Sequence, residues 1–169
     1  MKGVKHAEEA LKLKPTDARI NMMLARTFME VQHYPKAVSL YLEAEKAMPS
    51  DKDIPFKIAN CYEKMSRYRD AMIYYKKSLT LDPSNPTKMY EAATATYNAN
   101  QFEEAIKFYQ LAEDNGYYKS KTFYENWALC YTAQKDYAQG IAYYMKAKEY
   151  APYDKNLNLD ICDTYILSG

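Results

Sequence analysis

Four stretches of this chain align without a gap: KAVSLYLEAEKAMP (36–49), DAMIYYKKSLTLDP (70–83), EAIKFYQLAEDNGY (104–117) and QGIAYYMKAKEYAP (139–152). The first three begin 34 residues apart and the fourth follows after 35. A repeat of this length constrains the fold more than any other feature, because a unit so short cannot bury its apolar face alone and must stack on its neighbours. Small Ala37, Ala71, Ala105 and Gly140 are followed by large Leu40, Tyr74, Phe108 and Tyr143, then by Tyr41, Tyr75, Tyr109 and Tyr144, then by Ala44, Ser78, Ala112 and Ala147. A second set lies upstream: Leu24, Ile58, Ala92 and Trp127, then Ala25, Ala59, Ala93 and Ala128, then Phe28, Tyr62, Thr96 and Tyr131. Tyr34, Tyr68, Phe102 and Tyr137 stand between the two sets.

Separations of three and four residues put each set on one helical stripe, so every period holds two amphipathic helices. Small residues let helices approach and aromatics fill the space beside them. On this reading Tyr74 and Tyr75 are two columns of a packing code, not a working pair. Pro49, Pro83 and Pro152 each follow a helical run that they cannot continue. Asp17, Asp51, Asn85, Ser120 and Asp154 stand at N-cap positions, and Pro86 occupies a first helical position. The expected helices are 3–14, 18–31, 35–48, 52–65, 69–81, 86–99, 103–115, 121–134, 138–150 and 155–167.

Four glycines leave few positive-φ turns, which argues against hairpin-rich sheets. A formal net charge of +1 and no long Lys/Arg run give nucleic acid no electrostatic footprint. No apolar run approaches a membrane span, so direct membrane insertion is not expected. Cys61, Cys130 and Cys162 are odd in number, far apart and in no C-x-x-C pair, and read as small buried hydrophobes. Three unpaired thiols lean toward a reducing, cytoplasmic compartment; a longer protein with a signal or anchor elsewhere leaves the localisation open. His6 and His33 have no acidic cluster, and isolated glycines build no phosphate loop, so neither catalysis nor a metal or other cofactor is expected.

The pattern resembles the tetratricopeptide repeat, a 34-residue helix-turn-helix unit whose signature runs large residue, Leu-Gly, Tyr, then Ala, Phe and Pro. The matches are Leu24-Ala25-Phe28-Ala37-Tyr41-Pro49, Ile58-Ala59-Tyr62-Ala71-Tyr75-Pro83 and Trp127-Ala128-Tyr131-Gly140-Tyr144-Pro152. The resemblance implies an all-α, right-handed α-solenoid of four full repeats, 18–51, 52–85, 86–120 and 121–154, with a half repeat at each end. Residues 1–17 supply a second helix through Val4, Ala10, Leu11 and Pro15, and 155–169 a first helix through Ile161, Cys162 and Tyr165. The third repeat departs at Ala92 and Thr96 and closes on DNGYYKS, where Gly116 is expected to cap the helix and the solenoid to bend or loosen. Leu157, Leu159, Ile161, Tyr165, Ile166 and Leu167 make the last helix too apolar for a solvated end, which suggests a piece of a longer array or self-association through 155–167.

The resemblance further implies that first helices line a concave groove that binds a peptide or protein. Carried onto this sequence, the groove presents Arg19, Met22, Met23, Arg26 and Met29, then Phe56, Lys57, Asn60 and Glu63, then Tyr90, Glu91, Thr94 and Tyr97, then Glu125, Asn126 and Leu129. Arg19, Arg26 and Lys57 precede Glu91, Glu125, Asp160 and Asp163, so an acidic, partly apolar segment is expected near Arg26, Lys57 and Asn60. The clamp of Lys, Asn, Asn, Lys and Arg that some members use to grip chaperone tails aligns with Phe56, Asn60, Glu91, Thr122 and Asn126, or from the first repeat with Met22, Arg26, Lys57, the neighbourhood of Asp53 and Glu91; neither register supplies the set, which disfavours that partner. The leading expectation is a non-enzymatic scaffold; the alternatives are a structural or self-association segment and an accessory region of an enzyme whose catalytic domain lies elsewhere.

Overall fold

The computed structural model describes Glu9 and residues 17–169. The expected helix over 3–14 and His6 therefore lie outside the described residues. Among the described residues all regular structure from Ala18 onward is helical: α1 (Ala18–Glu30), α2 (Tyr34–Ala47), α3 (Asp53–Lys64), α4 (Tyr68–Leu81), α5 (Pro86–Asn98), α6 (Phe102–Asp114), α7 (Lys121–Ala133), α8 (Tyr137–Tyr150) and α9 (Lys155–Ser168). Each lies within a residue or two of its expected span. The architecture is an all-α helical repeat.

Contacts divide the chain into two compact units, Met1–Ser84 and Asn85–Gly169. In the first, α1 pairs with α2, α2 packs on α3, and α3 pairs with α4. Leu24, Ala25, Phe28, Ala37, Val38, Tyr41, Ala44, Ile54, Ile58 and Cys61 form its buried cluster. In the second, α5 pairs with α6, α6 packs on α7, α7 pairs with α8, and α8 packs on α9. The segment around Gly116 does not divide the chain, because α6 and α7 belong to one unit. Gly116, at φ +82°, closes α6: its N–H donates to Glu113 O at 3.0 Å and that of Tyr117 to Ala112 O at 2.8 Å.

The four hairpin turns are built alike. Gln32, Ser66, Asn100 and Lys135 all adopt φ near +60°. At each turn the next residue donates back to the preceding helix, as His33 does to Phe28 O at 2.8 Å and Gln101 to Thr96 O at 3.0 Å. These bonds satisfy the carbonyls that every helix end leaves open. Side chains cap the other ends: Asp17 accepts from Arg19 and Ile20, Asn85 from Lys88, Ser120 from Phe123, and Asp154 from Leu157. Asp51 does the same for Asp53 and Ile54.

Both departures from the repeat pattern have local causes. Thr96 is buried where other repeats hold an aromatic, and its hydroxyl donates to Ala92 O at 2.6 Å, so no polar atom is stranded. Gly140 replaces the alanine of its column because a Cβ there would stand 2.6 Å from Thr132 Cγ2. The residues matching Thr132 in the other repeats, Met29, Glu63 and Tyr97, are not β-branched.

One expectation about the cysteines is corrected. Cys61 and Cys130 are buried, but Cys162 is exposed on α9. Its counterpart in each full repeat is an alanine covered by a second helix, and among the described residues no helix follows α9.

Candidate binding face of the first helices

Helices α1, α3, α5 and α7 carry the residues singled out in the sequence. On α1, Leu24, Ala25 and Phe28 point into the core, which turns Arg26 to solvent and leaves Met23 53% exposed. Met22 and Met29 are only partly available, because both pack against the buried cluster. Arg19 is exposed, and its N–H donates to Asp17 at 2.9 Å. Arg26 Nε lies 3.4 Å from Glu30 Oε1, an ion pair exposed on both sides and worth a fraction of a kcal/mol, about 0.3–0.5 for this spacing.

On α3, Lys57 is exposed and its ammonium stands 5.9 Å from the centre of the Phe56 ring, which itself meets Tyr75 edge-on at 5.7 Å. Tyr75 is fully buried, yet its hydroxyl lies 2.6 Å from both Asn60 Oδ1 and Glu63 Oε2. A hydroxyl has one proton, so it donates to one of these acceptors at a time. Asn60 is thereby fixed from below by a core residue.

The same linkage recurs in the second unit. The buried Tyr109 hydroxyl approaches Thr94 Oγ1 at 3.4 Å, and burial, only partly offset by that contact, pushes its ionisation well above the usual tyrosine range. Tyr90, Thr94 and Asn126 are linked, Thr94 Oγ1 donating to Tyr90 O at 3.1 Å. Asn126 Nδ2 donates to the Tyr90 hydroxyl at 3.1 Å, joining α5 to α7, and Tyr97 packs on Phe102 at 5.6 Å. Glu125 pairs with Lys121 at 3.1 Å, and Lys121 also reaches Asp154 at 2.8 Å, so this carboxylate is partly neutralised. Glu91 is half-buried, and Leu129 lies half-buried one turn beyond Asn126.

Two contributors escaped sequence reasoning. Tyr117 stacks on Tyr90 with centroids 4.5 Å apart and planes at 14°, because the residue inserted near Gly116 lets the loop fold back. In the column Tyr41, Tyr75, Tyr109 and Tyr144, the hydroxyls of Tyr75 and Tyr109 reach the first helices, at Asn60 and Glu63 in one unit and Thr94 in the other. A signal was available for the second, since the signature has phenylalanine in that column and this chain has tyrosine throughout.

No group of three or more His, Cys, Asp or Glu side chains suited to a metal occurs among the described residues. No helix among them is long and apolar enough to cross a membrane. A shallow recess of about 390 Å3 lined by Asn100, Gln101, Phe102, Glu103, Glu104, Lys107 and Gln134 lies at the hairpin turns.

Models of the tetratricopeptide repeat match residues 56–85 and 122–154. No curated protein matches significantly. Among solved structures, the crystal structure of MamA protein superposes with a TM-score of 0.82 at 21% identity, covering 90% of this chain and 82% of that one. The protein YrrB, titled a TPR protein with an unusual peptide-binding site, gives a TM-score of 0.79 at 16% identity over 96% of this chain and 84% of its own. MamA from Desulfovibrio magneticus RS-1 gives 0.78 at 14% over 90% and 85%. These likenesses share the fold, and the family models coincide with the second and fourth helix hairpins. The chain carries tetratricopeptide repeats, at residues 56–85 and 122–154.

Proposed function

We propose that this protein-interaction scaffold binds an extended segment of a partner along the exposed side of its first helices, and that the first unit favours an acidic, partly apolar one. The observation that carries the reading is a contrast between columns. Packing columns repeat from unit to unit, whereas the outward columns do not: Arg19, Asp53, Thr87 and Thr122 share a position, as do Arg26, Asn60, Thr94 and Leu129. The fold does not dictate those side chains, so they are available to a partner. Exposed Arg19, Arg26 and Lys57 beside exposed Met23 and the Phe56 ring suit carboxylates interspersed with apolar groups. YrrB, with the same fold, is titled by its peptide-binding site, which supports the reading by analogy.

The test is fluorescence anisotropy with labelled peptides of three kinds: Glu/Leu/Phe-rich, Lys/Leu/Phe-rich and Ser/Gly-rich. The first should bind, weaken with added salt and lose tenfold to a hundredfold in Arg26→Glu/Lys57→Glu, about 1.4–2.8 kcal/mol for two charge-assisted contacts. Equal binding of basic and acidic peptides, or affinity unchanged by the reversal, would refute the proposal.

A second reading, self-association through 155–167, is favoured by the exposure of Leu159, Tyr165, Ile166 and Leu167 on α9. Gel filtration across a concentration series tests it: apparent size should rise with concentration, and a constant monomer overturns it.

A further inference from the structure

The second unit holds one ring that the repeat does not require. Repeats 18–51, 52–85 and 121–154 each span 34 residues, whereas 86–120 spans 35, and the loop that absorbs the extra residue carries Tyr117. Tyr117 is half-buried, stacks on Tyr90 with centroids 4.5 Å apart and planes at 14°, and tilts against Phe123 at 5.4 Å. Tyr90 is held independently of this ring. Buried Tyr109 meets it edge-on at 5.9 Å, buried Phe123 packs on it at 6.0 Å, and Asn126 Nδ2 donates to its hydroxyl at 3.1 Å. A fixed aromatic face is thus covered by a side chain from a loop.

The covering ring is attached differently from the rest of the cluster. Tyr109, Phe123 and Trp127 come from helices α6 and α7 and are buried. Tyr117 stands outside every helix, in a stretch from Tyr117 to Ser120 without regular structure. Its loop is tied down by the Tyr117 N–H, which donates to Ala112 O at 2.8 Å, and by the ion pair of Lys119 with Glu113 at 3.2 Å. Neither tie involves the Tyr117 side chain, so the ring can swing off Tyr90 by rotation about its own side-chain bonds with both ties in place. The space it leaves is flat and one ring thick, bounded by Tyr90 and Phe123. Such a space favours another aromatic over a branched aliphatic chain, because ring faces attract in offset-parallel geometry in addition to their burial.

We propose that this face of Tyr90 is a subsite for an aromatic side chain of the bound segment, and that Tyr117 fills it while no segment is bound. The inference rests on the proposed segment-binding reading and adds the residue class that the second unit selects. Tyr117 is then a competitor within the same molecule, and the fraction of time it covers Tyr90 lowers the apparent affinity. Removing it strengthens binding, whereas removing a ring that only shapes the face weakens binding.

Fluorescence anisotropy with a labelled Glu/Ser peptide series carrying one Phe at successive positions, beside matched series carrying Leu or Arg, tests the residue class. In the best register wild type should prefer Phe to Leu by about twofold to tenfold. Tyr117→Ala should tighten the Phe peptide by about threefold or more and the Leu peptide less, and Tyr90→Leu should abolish the preference. Thermal unfolding by circular dichroism checks that both variants fold. NMR with isotope-labelled tyrosine rings reads the displacement in the wild-type chain. The Tyr117 signals, identified by their loss in Tyr117→Ala, should move from ring-shifted positions toward those of an exposed tyrosine as the Phe peptide saturates. If peptides bind through Arg26 and Lys57 with no preference for Phe, if Arg is preferred to Phe, if Tyr117→Ala weakens binding, or if Tyr117 stays ring-shifted in the complex, the subsite falls and the segment-binding reading stands. If no peptide binds, both fall.

Discussion

The pairing of Gly140 with Thr132 is the sharpest quantitative test of the packing argument. Replacing glycine by alanine inside α8 gains about 1 kcal/mol of helix propensity when nothing is in the way. Here something is: the new Cβ would meet Thr132 Cγ2 at 2.6 Å, well inside van der Waals contact. Thr132 can turn away only by breaking the bond from its hydroxyl to Leu129 O at 3.1 Å, worth about 1 kcal/mol. Overpacking of this kind costs roughly 1–3 kcal/mol, so Gly140→Ala alone should fall between neutral and about 2 kcal/mol destabilising. In a Thr132→Ala background the obstruction is gone, and the same change should stabilise by about 1 kcal/mol. The coupling energy of the cycle is therefore about 2 kcal/mol. Urea unfolding followed by the fluorescence of Trp127, the single tryptophan, fully buried on the same hairpin, reads it directly. A coupling below about 0.5 kcal/mol would refute the steric account.

Three further outcomes follow from the same coordinates. Lys135→Gly and Gln32→Gly should each stabilise the chain by about 0.5–1 kcal/mol in thermal unfolding, whereas Asn100→Gly should change little, because asparagine already tolerates positive φ; a reversed order would contradict the turn assignment. Burial pushes the Cys61 thiol up to about 11 and the Cys130 thiol up to about 12, while Cys162 is exposed. A thiol-titrating reagent at mildly alkaline pH should therefore consume one equivalent quickly and the other two only after denaturation; three equal rates would contradict the burial. Burial, reinforced by the Cys61 thiol, raises Tyr41 to about 12, and burial likewise raises Tyr144 to about 12. The fold holds both neutral, so their contribution is complete below the unfolded value near 10 and is lost as pH climbs from there toward 12, roughly 3 kcal/mol for each. Helical circular dichroism should collapse together with the appearance of tyrosinate absorbance in that window; ionisation of all tyrosines near pH 10 with the helices intact would refute it.

The helices were legible in the sequence because every packing residue meets the same surroundings once per repeat, and four copies average out local accident. Leu24, Ile58 and Trp127 differ in size, but all three are buried at one register. The caps at Asp17, Asn85, Ser120 and Asp154 were legible for a related reason: a helix start imposes its own chemistry wherever it occurs. Outward residues have no such average. Whether Met22 faces a partner or the core depends on the tilt of one helix against its neighbours, and Met22 and Met29 lean inward while Met23 does not. The stack of Tyr117 on Tyr90 depends on one inserted residue and a single loop conformation, which no periodicity reports.

The tyrosine column ties these two levels together. A phenylalanine at Tyr75 or Tyr109 would fill the same volume and bury as much ring. What the hydroxyl adds is a polar end that reaches past the core to the underside of the first helix, at Asn60 and Glu63 in one unit and Thr94 in the other. Leaving a partly buried amide or carboxylate without that bond costs about 1–3 kcal/mol, enough to let Asn60 and Glu63 reorient. The hydroxyl thus holds side chains of the outward columns in fixed directions from within the core. A scaffold needs that property more than stability alone, since each outward side chain already held in its bound direction spares part of the ordering cost, about 0.5–1.5 kcal/mol, when a partner arrives. On the proposed reading, tyrosine in that column, where the family's signature has phenylalanine, serves the outward face as well as the core.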